Sequence, residues 1–245
     1  MSTPGIDSRE STPEAGFPDV ATSSLALMST PEPDEPAAEP LPEHGEVWYV
    51  SYGSNMSAAR LAAYLEGGIP PGGSRANPGA RDGTLPRRSV PVDLPGALYF
   101  AGRSPQWGGG VAFYDHDAQD PARGGPTAAR AYLITAGQFA DVAAQEMYRV
   151  PQEGDPLEEV VLGGIDGGVH HVGPGRYETL IEVGRLEDAP MLLFTAPHGI
   201  DHVEHSQPSA SYLEMLADGL RESRHWDERE TSAYFRRIGV RPAAS

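Results

Sequence analysis

The chain has 245 residues, enough for one large domain or two small ones around a real core, and its formal net charge is -17. That balance argues against a nucleic-acid or anionic-membrane surface, where lysines and arginines cluster. The absence of cysteine excludes disulfides, thiol nucleophiles and thiolate metal sites.

The opening residues, MSTPGIDSRE, lack the basic and apolar regions of a secretory signal, and no apolar run approaches a membrane span. The expectation is a cytoplasmic protein. Residues 1–45 read as a disordered acidic tail, with nine acids against one basic residue, Arg9, and a composition dominated by Pro, Ser, Thr and Ala. Such a stretch buries too little apolar area to offset the entropy of ordering. The folded body is expected over 46–240.

Order begins at VWYVSYGSN. Val47–Val50 is an apolar, aromatic and β-branched run that predicts a buried strand. In MSAARLAAYLEGG, residues Met56, Leu61, Tyr64 and Leu65 fall on helical spacing and Gly67 offers a stop. Residues 69–89 are rich in Pro, Gly and Arg and predict a long loop. Strands are predicted over 90–101, 110–114 and 128–134. A helix then follows with Thr135 as N-cap and Phe139, Val142, Ala143 and Met147 on one face.

Residues 150–175, with GGIDGG at their centre, predict a mobile flap or a disordered insertion. Strands over 177–184 and 191–196 lead into a helix opened by Ser209, and a last helix runs near 227–235. Strands, helix, then strands and helices again predict a mixed α+β fold, since a parallel sheet needs more crossover helices.

The strongest chemical signal is Tyr52, Gly53, Ser54 and Asn55, a strand running into a turn of small residues before a helix. Such a turn lets backbone amides face a concave space, which suits a carboxylate or an oxygen gaining negative charge. The bland alternative is a tight strand-to-helix turn. The histidines of HGIDHVEH (His198, His202, His205) are loosely spaced like metal ligands but have no helical frame or fourth ligand, and surface loop residues are the better reading. No metal or cofactor is expected. The glycines 108–110 lack the Lys and Ser or Thr of a phosphate loop, and close backbone approach explains them better.

YGSN after an aromatic strand, with Arg60 in the next helix, resembles the signature loop of the gamma-glutamylcyclotransferase-like (AIG2-like) family. Four further blocks resemble that family in order: WGGGVAFYD (107–115), AYLITAGQFADVAAQEMY ending near Gln145 and Glu146, GRYETLIEVG with Tyr177, and PSASYLEMLADGLRE with Tyr212. The resemblance spans about residues 47–235. It departs at Met147, where many members have glycine, and in the long 150–175 stretch.

The resemblance implies a small, barrel-like mixed sheet flanked by helices. It also implies an enzyme that releases 5-oxoproline and a free amine from a small gamma-glutamyl substrate. On that reading Glu146 is the catalytic acid–base group, and Tyr52, Gly53, Ser54, Asn55, Tyr177 and Tyr212 bind substrate. The amides of the YGSN turn would hold the α-carboxylate or the developing oxyanion. Two other readings remain open: a different amide- or acyl-cleaving enzyme on this fold, some relatives being labelled histone deacetylase, and a non-catalytic module that binds a small carboxylate. Taken singly, Glu146 reads as a solvated helix-end acid and the two later tyrosines as core packing.

Overall fold

A computed structural model describes residues 45–119 and 126–240. The expected tail, apart from Gly45, lies outside the described residues. Among the described residues eight strands form two sheets. The larger contains β1 (Glu46–Ser51), β2 (Ser89–Leu94), β5 (Thr127–Thr135), β6 (Val169–His171), β7 (Thr179–Leu186) and β8 (Ala189–Thr195). Its order is β2-β5-β1-β8-β7-β6. The smaller is the hairpin of β3 (Ala97–Ala101) and β4 (Val111–Asp115). Five helices complete the fold: α1 (Ala58–Leu65), α2 (Ala136–Glu146), α3 (Pro156–Gly163), α4 (Ala210–Arg224) and α5 (Glu228–Arg237). The architecture is α+β, and the larger sheet is open, with β2 and β6 at its ends.

β1 lies at the centre because it is apolar on both faces. Val47 and Tyr49 enter one core with Phe139, Val142 and Phe194, while Trp48 and Val50 enter the other with Leu216 and Leu220. A strand buried on both faces reads as a continuous apolar run, as this one does. It pairs antiparallel with β5 and parallel with β8, which brings the first and last strands side by side.

The predicted strand over 90–101 is two strands. At Pro95–Gly96 the chain leaves the six-stranded sheet and enters the hairpin. Gly96 donates its amide to the Tyr114 hydroxyl at 3.0 Å, and its carbonyl accepts from Thr127 Oγ1 at 2.8 Å. A Cβ on Gly96 would lie 2.7 Å from the Tyr114 phenol, so only glycine fits.

The predicted flap over 150–175 is largely regular structure. Asp155 accepts the Leu157 amide at 2.9 Å as an N-cap, Pro156 opens α3, and Leu157 and Val161 are buried in the core that holds α2. β6 then pairs antiparallel with β7. α2 and α4 begin at the expected Thr135 and Ser209, and α5 begins at a cap of its own. Thr135 and Gln138 form a reciprocal capping box on α2, Ser209 caps α4, and Asp227 caps α5. Among the described residues no helix is long and apolar enough to cross a membrane.

Candidate functional site

Between β1 and α1 the chain makes one buried turn of 3-10 helix, Ser54–Met56. Met56 donates its amide to the Gly53 carbonyl at 3.0 Å, and Ser57 to the Ser54 carbonyl at 3.1 Å. Those two amides close the turn, so only amides before them remain to face a ligand. β5 pins the far end: the Tyr132 hydroxyl and Arg130 Nη1 donate to the Met56 carbonyl at 2.7 and 3.0 Å. Glu222 of α4 accepts the exposed first amide of α1, from Ala58, at 2.9 Å. α4 approaches this closely because of Gly219, where a Cβ would sit 2.7 Å from the Met56 carbonyl carbon.

α2 ends at Glu146. Tyr148 takes a left-handed φ of 60°, and the Arg149 amide folds back to the Ala144 carbonyl at 2.8 Å. This places the half-buried Glu146 carboxylate against the turn. Asn55 Nδ2 donates to Glu146 Oε1 at 3.1 Å and to the Tyr49 hydroxyl at 3.0 Å. On the other side stands Tyr64, whose hydroxyl accepts from Arg60 Nη2 at 2.8 Å. Burial first, and the charge of Glu146 second, push the Tyr64 phenol well above its ordinary pKa, with Arg60 opposing.

The turn and Glu146 line one cavity of about 400 Å³, together with Tyr52, Tyr177 and Tyr212. Glu146 and the six residues expected to bind substrate therefore line the same space. The three tyrosines differ in how their hydroxyls are used. Tyr52 donates to the Phe194 carbonyl at 2.8 Å, and Tyr177 donates to the Ala112 carbonyl at 3.1 Å. Tyr212 accepts the Ala112 amide at 3.4 Å and also meets the Ser54 amide, which leaves its own proton to donate. Burial pushes Tyr212 up to about 12, so that proton is retained at neutral pH. Tyr177 holds a left-handed φ of 63°, a conformation an aromatic residue adopts at a cost of about 1–3 kcal/mol.

Several wall residues go beyond those the sequence pointed to. Arg60 is 5 % exposed and lies between two rings, 4.5 Å from Tyr64 and 5.7 Å from Trp107. Its Nε and Nη1, with Asn77 Nδ2, Gln106 Nε2 and Asn55 Oδ1, are buried polar atoms without a hydrogen-bond partner among the described residues. All of these residues line the cavity. The four-residue spacing of Arg60 and Tyr64 was a legible sign that they meet on one helix face. Nothing in the sequence marks Asn77, which the 69–88 loop carries. That loop is tied to α2 by Gln138, Asp141 and Gln145, whose side chains bond Asp82, Arg81 and Gly79.

The loop histidines have other duties. The His198 ring and carbonyl meet the Tyr99 hydroxyl, and His205 bonds the Ile200 carbonyl. Among the described residues the grouping that brings three metal-type ligand atoms together is Asp115, His116 and Asp117. There the Asp115 carboxylate already accepts amides from Asp117, Ala118 and Ile200, which makes it a loop organiser. The three glycines 108–110 do mark a close backbone approach: Gly110 donates to the Gln207 carbonyl at 2.8 Å, and a Cβ on Gly109 would lie 2.7 Å from it.

No family model matches the chain. Among curated proteins it is similar to Histone deacetylase 5 of Arabidopsis thaliana, with 28% identity over 209 residues, covering 80% of this chain. The chain spans 31% of that plant protein's length. Two solved structures are similar to this one at a TM-score of 0.46. An uncharacterised human protein has 14% identity over 83% of this chain and 92% of its own. A gamma-glutamyl cyclotransferase has 13% identity over 82% of this chain and 90% of its own.

Proposed function

We propose that the chain is an enzyme of the gamma-glutamylcyclotransferase-like type, which closes a gamma-glutamyl compound to 5-oxoproline and releases the amine. The observation that carries this reading is the 3.1 Å hydrogen bond from Asn55 to Glu146, which sets one carboxylate against the YGSN turn inside a cavity of small-molecule size. The five sequence blocks that resemble the family supply its other support.

Glu146 takes a proton from the substrate's α-ammonium, and the neutral nitrogen attacks the γ-carbonyl of the same molecule. Ring closure within one molecule needs no covalent enzyme intermediate. The Tyr212 hydroxyl and the early amides of the turn face the oxygen that gains charge. As the amide C–N bond breaks, Glu146 returns its proton to the leaving nitrogen, and the second proton of the ring nitrogen is lost to solvent. Asn55 holds the carboxylate in register, and Tyr52 and Tyr177 shape the wall.

Deacetylation is the second reading, since the matched plant protein carries that name. A metal-dependent deacetylase needs a His and Asp ligand set, and the residues lining this cavity include neither type. The test is incubation with gamma-glutamyl dipeptides, gamma-glutamyl amines and acetyl-lysine peptides. Release of 5-oxoproline is expected. Acetate without 5-oxoproline would replace the reading, and binding without either product would make the chain a carboxylate-binding module.

A further inference from the structure

We infer that Arg60 is the carboxylate-binding residue of the cavity and that, paired with Glu146, it selects the zwitterionic head of an α-amino acid. The inference deepens the proposed reaction, because it assigns the α-carboxylate of the gamma-glutamyl group to a side chain rather than to the turn amides.

Arg60 is a buried cation with no acidic partner among the described residues. Nη2 meets the Tyr64 hydroxyl, while Nε and Nη1 find no partner among the described residues. Leaving a guanidinium in that state is costly, and a ligand anion is the group that would offset the cost. Guanidinium donors suit a planar carboxylate better than a spherical charge. The neighbouring wall points the same way. Asn77 Nδ2 and Gln106 Nε2 are also donors without acceptors, and Glu146 is the one carboxylate among the residues that line the cavity. Of the other arginines that line it, Arg149 is paired with Asp155 at 2.8 Å, Arg75 lies over the Tyr148 ring, and Arg176 donates to the Arg103 carbonyl at 3.3 Å.

The placement of the two charges adds selectivity. Arg60 and Glu146 both lie against the Tyr64 hydroxyl but do not form an ion pair with each other, so a positive and a negative group stand side by side with their charges unspent. A simple carboxylate gains from Arg60 and is repelled by Glu146. A simple amine meets the opposite pair of effects. A molecule with a carboxylate and an ammonium on one carbon satisfies both, and its ammonium then rests on the group that must deprotonate it. Trp107, half-buried, lies with its ring 5.7 Å from the guanidinium.

The experiment is calorimetric titration of the full chain with L-glutamate, 4-aminobutyrate, which lacks the α-carboxylate, and glutarate, which lacks the amine. L-glutamate should bind more than about tenfold tighter than either, as for loss of one partner of a buried charge contact. In Arg60→Gln the preference over 4-aminobutyrate should collapse toward unity, with Arg60→Lys falling between. In turnover, Arg60→Gln should raise KM for a gamma-glutamyl dipeptide far more than it lowers kcat.

If the unaltered protein shows no preference for L-glutamate, including no binding of any of the three, the inference is overturned without recourse to a variant. It is overturned too if Arg60→Gln retains the preference. The proposed reaction fails separately: selective L-glutamate binding with no 5-oxoproline from any gamma-glutamyl compound would leave the zwitterion site standing and remove the cyclisation. Release of 5-oxoproline without α-carboxylate discrimination would do the reverse.

Discussion

At the scale of single residues the proposed reaction rests on one ionisable group, so it can be removed without disturbing the core. Glu146→Gln keeps the shape and can still accept from Asn55, yet cannot take a proton. We expect turnover to fall by about 10²–10⁴-fold, with the denaturation midpoint close to that of the parent, since the side chain is only half-buried. Steady-state 5-oxoproline release and a urea titration check both halves. Tyr177→Phe asks a different question. The ring still packs on Phe113 and Phe194, while the bond to the Ala112 carbonyl is lost. A stability loss of about 1 kcal/mol is expected, with a modest rise in KM.

Much of this site was legible because its members sit in contiguous strings. YGSN and the helix-end glutamate are recognisable before any coordinate. The wall built from Asn77 and Gln106 was not, because a lone amide in a Gly- and Pro-rich loop carries no pattern. Its meaning comes only from the cavity it faces.

At the scale of elements, the hairpin of β3 and β4 brings Trp107 and Ala112 to the cavity although it lies outside the larger sheet. Its attachment is a side chain on β8. Thr195 Oγ1 accepts the Tyr114 amide at 3.0 Å and donates to the Tyr114 carbonyl at 2.8 Å, standing in for a ladder pair. Thr195→Val preserves the shape and removes both bonds. The expected cost is about 2–4 kcal/mol, because a buried N–H and C=O are both left unmet. Activity should fall mainly through KM as the hairpin wall loosens, and chemical denaturation beside a kinetic profile measures the two. If the stability were unchanged, the hairpin would be held by its packing and by its other hydrogen bonds, such as that from Tyr177 to the Ala112 carbonyl.

Helix starts were readable at this scale for a local reason. The caps Thr135, Ser209 and Asp227 each act on an amide within three residues. α3 carried the same kind of signal, Asp155 followed by Pro156, but its surrounding glycines outweighed it. The break at Pro95–Gly96 was hidden because apolar residues continue on both sides of it, and only the close approach of Tyr114 reveals why the chain must turn there.

The whole molecule joins its first and last strands, and that pairing of β1 with β8 is a long-range contact that no local pattern encodes. The net charge is also a whole-molecule property, and it opposes the site. The cavity wall carries arginines that suit the proposed anionic ligand, while the chain as a whole carries -17. Almost half of that charge belongs to residues 1–45, whose net charge is -8. A field of this sign slows the arrival of a gamma-glutamyl dipeptide, which is anionic at neutral pH. Salt screens it: the Debye length is about 30 Å at 0.01 M and about 3 Å at 1 M.

A chain beginning at Gly45 should therefore show a kcat/KM about two- to fivefold higher than the full chain at 0.01 M ionic strength, and the difference should vanish near 1 M. A gamma-glutamyl amide, zwitterionic with zero net charge, should show little difference at either concentration. Melting curves of the two chains must first coincide within about 2 °C, so that the comparison is one of charge rather than of folding. Equal rates at low salt would mean that the acidic segment's field does not reach the cavity mouth. A slower truncated chain would mean instead that those residues assist the reaction directly.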